Sequence, residues 1–253
     1  MIEFEVRGFV GLATINRPDR RNALNGELCD ELREHFNRNP TLRAVVITGA
    51  GSAFCSGADL VTRFEPAGDD QTDTFRPAFE RVLDAIGDYP APVVAAINGP
   101  AIGAGMQLAV ACDVRIAALG ARLGIPGGRL GIHLSGRNIW RLANLVGQGA
   151  ARDFLLAGRT VDAEEALRLG LVQYVTDNVR AEGLRIAGEI AASAPFTIQG
   201  HKRSLNLVEE AAWLNKRQRE EIAKLEARAF ASEDLREGMA AFAEKRNPEF
   251  RGR

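Results

Sequence analysis

Apolar residues fall mainly into short unbroken runs in the first half of the chain and into spaced stripes in the second. Ile2 to Asn16, two runs of mixed apolar and polar residues divided at Arg7-Gly8, predicts a hairpin of half-buried strands that Arg17-Pro18-Asp19 ends. Asn25 is placed to cap a helix with Leu28, Leu32 and Phe36 on one face and Glu27, Asp30, Glu31, Arg33 and Glu34 turned outward; Asn39-Pro40 stops it. The apolar openings of Ala44 to Leu60 and of Pro92 to Ile97 predict buried strands. Between Val61 and Asp88, a polar stretch with Pro66, Gly68 and Asp69-Asp70 precedes the stripe Phe75, Phe79, Val82, Leu83 and Ile86, which predicts a mobile loop and then a helix.

Val114 to Ala118 reads as another strand, and the glycine-rich stretch Gly124 to Gly136, with Pro126, as an irregular loop expected to line a site. Asn138 to Val146 and Ala150 to Leu156 have helical spacing, Asp162 can cap a helix over Ala163 to Leu169, and Leu171 to Val175 predicts a strand. From Arg180 onward the pattern is helical with dense alternating charge. It breaks at Pro195 and at Ser232, where Glu233 and Asp234 suit the dipole of a first turn, and Asn247-Pro248 ends the last helix. These elements predict an α/β fold with a helical C-terminal subdomain, divided into residues 1–192 and 193–253.

Composition narrows the function classes. The 253 residues, 46% hydrophobic, can bury a sizeable core, and 32 basic against 33 acidic residues give no overall case for nucleic acid or an anionic membrane as partner. Tyr89 to Cys112 carries no charged side chain, but Asn98, Gly99-Pro100, Gly103, Gly105 and Gln107 interrupt it, so it reads as strand, turn and helix rather than a membrane span. Cys29, Cys55 and Cys112 form no CxxC pair and no basic, apolar leader precedes them, so a reducing cytoplasm is the expectation.

The chemistry gathers at two corners. In Asn98 to Asp113, NGPAIGAGMQLAVACD, an apolar strand runs through glycines into a helix. Gly103, Ala104 and Gly105 put almost no bulk at its first turn, so a ligand can approach the unpaired amides there. The partial positive charge of a helix start suits a carbonyl oxygen that becomes an oxyanion, although a tightly packed strand-helix corner would read the same way. AVVITGAGSAFCSGADL, Ala44 to Leu60, repeats the device and ends in Ser56-Gly57-Ala58-Asp59. A dinucleotide fingerprint does not fit, because Gly49-Ala50-Gly51 is followed by Ala53-Phe54 instead of the required glycine.

SGAD followed about forty residues later by NGPAIGAG resembles the paired motifs of the enoyl-CoA hydratase/isomerase family, the crotonases, and the likeness runs from NRPDRRNALN to EGMAAFAEKR. The resemblance implies a spiral of ββα turns whose C-terminal helices assemble a homotrimer or a dimer of trimers. It implies that the amides of Ala58 and Ala104 form an oxyanion hole for an acyl-CoA thioester, with coenzyme A present as part of that ligand and no permanently bound cofactor. Arg21, Ala23, Leu24, Ala58, Asp59, Leu60 and Val61 would line the CoA groove, and Phe242 and Lys245 would reach a neighbouring subunit's nucleotide. Lys245 suits a phosphate as a point charge, or is simply a solvated side chain.

The chain departs from the family where protons move. Hydration of a 2-enoyl thioester needs a base and an acid. The positions that hold family carboxylates carry Gln107, Gly127 and Ser135, none of which transfers a proton as a carboxylate does. His133 is the remaining candidate, since an unperturbed imidazole titrates near neutral pH. Asp69 and Asp70 could swing in from their loop, Cys55 fits packing better than nucleophilic attack, and His35 and His201 stand in charged helical contexts without metal-ligand spacing. The residues thus fit a protein of fatty acid metabolism that binds acyl-CoA and hydrates weakly or not at all. The alternative is an active hydratase (a lyase) or isomerase with a non-standard acid/base.

Overall fold

The computed structural model describes residues 1–60, 74–211 and 216–250. Val61, Asp69 and Asp70, with the loop expected there, lie outside the described residues.

Strands β1 (Ile2–Arg7) and β2 (Val10–Ile15) form the expected hairpin, turning at Gly8 with φ +61°. β2 then pairs in parallel with β3 (Ala44–Gly49), β3 with β4 (Val93–Ile97), β4 with β6 (Val114–Ala118) and β6 with β9 (Tyr174–Thr176). A second sheet joins β5 (Ala101–Ile102), β7 (Arg122–Gly124) and β8 (Thr160–Asp162) in the order β5-β7-β8. The chain therefore steps from one sheet to the other and back as it advances, which is the spiral of ββα turns.

The helices are α1 (Gly26–Arg38), α2 (Phe75–Asp88), α3 (Ala104–Ala111), α4 (Gly136–Leu156), α5 (Ala163–Arg168), α6 (Val179–Ala192), α7 (Pro195–Ala211), α8 (Lys216–Phe230) and α9 (Glu233–Ala243). Asn25 and Asp162 cap α1 and α5 as their positions predict, accepting from the amides of Leu28 and Glu165, and Ser232, where the helical pattern breaks, caps α9 by accepting from the Leu235 amide. On one face of the larger sheet, Val45, Ile47, Ala95 and Ile97 meet Leu32 and Phe36 of α1 and Val82 and Ile86 of α2. On the other, Leu12, Val46, Val94 and Ile116 meet Val179, Ile186 and Ala187 of α6. Strands covered on both faces read as unbroken apolar runs. Each fully buried Leu or Ile in them contributes about 1.5–3 kcal/mol.

Two details differ from the sequence reading. β2 is buried along its whole length and only β1 is half-exposed, because α6 covers the face of β2 that a free hairpin would leave wet. Leu171 and Val172 turn back on α5, both amides donating to the Ala166 carbonyl, while the Leu171 carbonyl accepts from Arg115; pairing therefore begins only at Tyr174. The two helices expected after Gly136 are present as the two halves of α4, separated by a break at Gly147, φ +77° and ψ 161°.

The C-terminal helices are tied to the rest. Lys202 of α7 is buried and donates to the carbonyls of Ile86 and Ala91 and to the Asp113 carboxylate at 2.8 Å. α9 packs so closely on the loop after Pro126 that a methyl added at Gly238 would stand 2.7 Å from the Leu130 carbonyl. Among the described residues no helix is long and apolar enough to cross a membrane.

Candidate functional site

Two asparagine amides, Asn22 buried and Asn98 half-buried, shape the first corner. Asn22 donates to the carbonyls of Ala50 and Ala53, and Asn98 accepts from the Gly49 amide while donating to the Gly51 and Ala53 carbonyls. The chain emerging from this loop is bracketed by Leu24, whose amide donates to the Gly57 carbonyl at 2.8 Å and whose carbonyl accepts from the Asp59 amide at 2.7 Å. Successive peptide groups of an extended segment point to opposite sides, so the Ala58 N–H is turned away from Leu24. Gly57 makes this possible with φ +115°, a conformation side chains oppose.

The second corner is built on the first. Cys55 bridges Ala101 in parallel, the Ile102 amide donates to the Cys55 carbonyl, and the Gly103 amide donates to the Gly124 carbonyl at 2.8 Å. At Gly103 (φ 58°, ψ −115°) the backbone then leaves this ladder and starts α3, so the Ala104 N–H belongs to the unpaired first turn. A methyl added at Gly57 would lie 3.1 Å from the Ile102 carbonyl oxygen and 3.8 Å from the Ala104 nitrogen: the two corners abut. Among the described residues, neither the Ala58 nor the Ala104 amide donates a backbone hydrogen bond. At the other end of α3, buried Arg115 donates to the carbonyls of Ala109 and Cys112, so the helix is satisfied at its C-terminus and open at its N-terminus.

Ala58 and Ala104 both line one cleft, mostly apolar through Phe75, Phe79, Ile102, Ile125 and Leu134. Gln107, Gly127, His133 and Ser135 line the same cleft, so the sequence-predicted site residues of the acyl end come together. Among the described residues Gln107 makes no side-chain hydrogen bond. Ser135 caps α4, accepting from the Asn138 amide at 3.3 Å. Gly127 is sterically closed as well as bare, since an added methyl would stand 2.7 Å from the Ile132 carbonyl oxygen. His133 Nδ1 lies 2.6 Å from the Leu134 carbonyl oxygen; that oxygen only accepts, so Nδ1 carries a proton, and in the neutral ring the lone pair is on Nε2.

Of the residues expected in the CoA groove, Leu60 lines the cleft beside Ala58. Leu24 and Ala23 are buried, and Arg21 is exposed with φ +48°, its carbonyl accepting from the Ser56 amide. The Asp59 side chain is turned inward, paired with Arg17 at 2.9 Å. Phe242 and Lys245 are exposed at the end of α9 and do not line this chain's own cleft.

The other candidates fall away. Burial pushes the Cys55 and Cys112 thiols up to about 12 and raises Cys29 as well, which suits packing and not attack. His35 is not simply solvated: its ring stacks on Phe4 at 4.7 Å, and partial burial lowers its pKa. His201 is exposed. Among the described residues no three metal-ligating side chains gather.

Sequence reasoning missed the polar groups that α2 brings to the cleft. Glu80 and Arg76 line it, the Arg76 guanidinium lying 4.7 Å over the ring of Phe230 from α8, and Glu80 accepts from Asn138 Nδ2 at 2.8 Å. Their only local signal is their position beside Phe75 and Phe79, at the border of the buried stripe.

A sequence model described as enoyl-CoA hydratase/isomerase matches residues 5–253. The chain is 40% identical over 243 residues to the Mycobacterium tuberculosis protein named "Probable enoyl-CoA hydratase echA6", covering 94% of each. Among solved structures, it resembles an enoyl-CoA hydratase/isomerase from Pseudoalteromonas atlantica at 35% identity and a TM-score of 0.86, over 99% of both chains. One from Mycobacterium paratuberculosis matches at 30% identity and a TM-score of 0.85, over 94% of this chain and 97% of that one.

Proposed function

This chain belongs to the enoyl-CoA hydratase/isomerase family, and from that premise we propose that it binds fatty acyl-CoA thioesters through a CoA groove and a two-amide oxyanion hole, with ordinary 2-enoyl-CoA hydration weak or absent. The observation that carries the reading is that Ala58 and Ala104, whose amides donate no backbone hydrogen bond among the described residues, line one apolar cleft in which Gln107 and Gly127 offer no carboxylate. A thioester carbonyl placed between the two donors is polarised most when it becomes an enolate oxygen, and each such donor is typically worth about a hundred- to a thousandfold in rate. The apolar walls suit an acyl chain.

In this reading the nucleotide end of the ligand runs past Arg21, Ala23, Leu24, Asp59, Leu60 and Val61. Phe242 on α9 and Lys245 in the turn after it, both exposed, reach the nucleotide of a neighbouring subunit in a homotrimer or dimer of trimers acting in the cytoplasm on fatty acyl thioesters. Exposed Leu205 and Val208, three residues apart on one side of α7, support an assembled state, because adjacent apolar side chains left wet are costly. The second reading, an active hydratase or isomerase with a non-standard acid/base, is favoured by one observation, the carboxylate of Glu80 in the cleft.

Calorimetric titration with butyryl- and octanoyl-CoA, beside crotonyl-CoA hydration followed as loss of conjugated-enoyl absorbance, tests the proposal. Saturable binding with little hydration is expected. Absence of binding, or rapid hydration, refutes it. Replacing Ala104 by proline removes one donor while keeping a residue tolerated in a first helical turn; affinity for the thioester is expected to fall.

A further inference from the structure

We propose that Glu80 is the catalytic base of this cleft, taking the α-proton of a bound acyl thioester and returning it; the proposal rests on the acyl-thioester reading above. Hydration needs two proton-transfer groups, but enolisation needs one, provided it is held against the same space as the oxyanion donors. Glu80 is a carboxylate lining the cleft with Ala58, Ala104, Gln107 and His133, and it arrives from α2, where no family motif points.

The surroundings of Glu80 hold it in one orientation. Asn138 of α4 is only 4% exposed; its Nδ2 donates to Glu80 Oε1 at 2.8 Å, and its Oδ1 accepts from Arg141 Nη1 at 2.9 Å. A guanidinium only donates, so the amide oxygen must face Arg141 and the NH2 must face Glu80. Arg141 is fixed in turn by Asp84, one turn beyond Glu80 on α2, at 2.8 Å. The chain Asp84–Arg141–Asn138–Glu80 thus ties two helices together and places Glu80 beside the ligand cleft.

The step is balanced without water or any other reactant. The Cα–H bond breaks, the proton passes to a Glu80 carboxylate oxygen, and the C–H electron pair forms the Cα=C1 bond of an enolate. The C1=O π pair moves onto the oxygen held by the Ala58 and Ala104 amides. Reversal at Cα returns the thioester with its proton exchanged for one from solvent. With a β,γ-unsaturated chain, return of the proton at Cγ gives the conjugated isomer.

The test is solvent exchange. Butyryl-CoA and octanoyl-CoA are incubated with the protein in deuterium oxide at concentrations that calorimetry shows to be saturating, and loss of the α-proton resonance is followed by NMR. The intact protein is expected to exchange these protons, and Glu80→Gln to lose the reaction by about a hundredfold or more, the usual worth of a positioned base. Should Glu80→Gln melt early, Glu80→Asp keeps the charge, displaces the carboxylate and is expected to lose about tenfold or more. Exchange that survives both substitutions, exchange that follows His133→Gln instead, or no exchange by a protein that binds these thioesters overturns the assignment of Glu80 alone. Failure to bind either thioester overturns the acyl-thioester reading itself.

Discussion

The Arg17 guanidinium lies 2.9 Å from the Asp59 carboxylate, beneath the turn that presents the Ala58 amide, and donates to the Ala23 carbonyl at the same distance. One side chain therefore joins the NRPDR segment, the approach to α1 and the SGAD turn. Asp59 is 6% exposed, whereas the Arg17 side chain keeps 23% of its surface.

Asp59→Ala leaves a charge without this partner in a partly dry place. Breaking such a pair costs several kcal/mol when both ends are buried, and the residual exposure of Arg17 brings the expectation down to about 2–3 kcal/mol. Urea unfolding measures it, and Arg17→Met closes the double-mutant cycle. If Asp59→Ala unfolds at the parent midpoint, the pair does not hold the corner.

Gly105 is where α3 approaches the first corner most closely, since an added methyl would stand 2.2 Å from the Cys55 carbonyl oxygen. Gly105→Ala must push the helix away and with it the Ala104 amide. The expected cost is about 1–3 kcal/mol, typical of forcing a methyl into packed space, together with weaker thioester binding. Gly87→Ala is the control: it sits in α2 with nothing within 4 Å of an added methyl, and alanine there is expected to be neutral or stabilising by up to about 1 kcal/mol. Equal melting temperatures for the two variants would show that α3 has room to move.

The thiols give a prediction with a definite pH sense. Cys29, Cys55 and Cys112 are buried, and desolvation raises Cys55 and Cys112 from 9.0 to about 12. Native protein at pH 8 is expected to leave all 3 thiols unreacted with a disulfide reagent, and urea to release them together. Because the unfolded thiols ionise at lower pH than the folded ones, their contribution to stability is intact below about 9 and is lost as pH climbs toward 12. A fast-reacting thiol in the native state would contradict the packing.

The sequence was most legible where physics is local. Asn25 and Asp162 announced their helices because an N-cap is a contact across three residues. The two corners were legible because Gly57, Gly103 and Gly105 are demanded by backbone angles and close approach that leave a visible mark in the residue type. Lys202 and Glu80 were not. Each looks like one more charge on a polar helix, and its role depends on partners at Asp113 and Asn138, which only tertiary packing brings near. The burial of β2 on both faces was hidden for the same reason, since α6 arrives from far along the chain.

Gly127 offers the last test, because the absence of a side chain there has a geometric cause. Its carbonyl accepts from the Ile132 amide at 3.0 Å, and the Ile132 carbonyl in turn closes over the position a Cβ would take, at 2.7 Å. Gln107→Glu, by contrast, changes charge at nearly constant shape in a half-buried position bordering Asn138 and Arg141. Adding Gly127→Glu to Gln107→Glu is therefore expected to lower stability by about 1–3 kcal/mol while crotonyl-CoA hydration rises no higher than with Gln107→Glu alone. The displaced loop carries Ser135 and His133 with it, so the new carboxylate would disturb the cleft it was meant to serve. A double variant that hydrates faster than Gln107→Glu, at undiminished stability, would mean that the Ile132 carbonyl yields easily and that the missing side chain alone accounts for the lost acid.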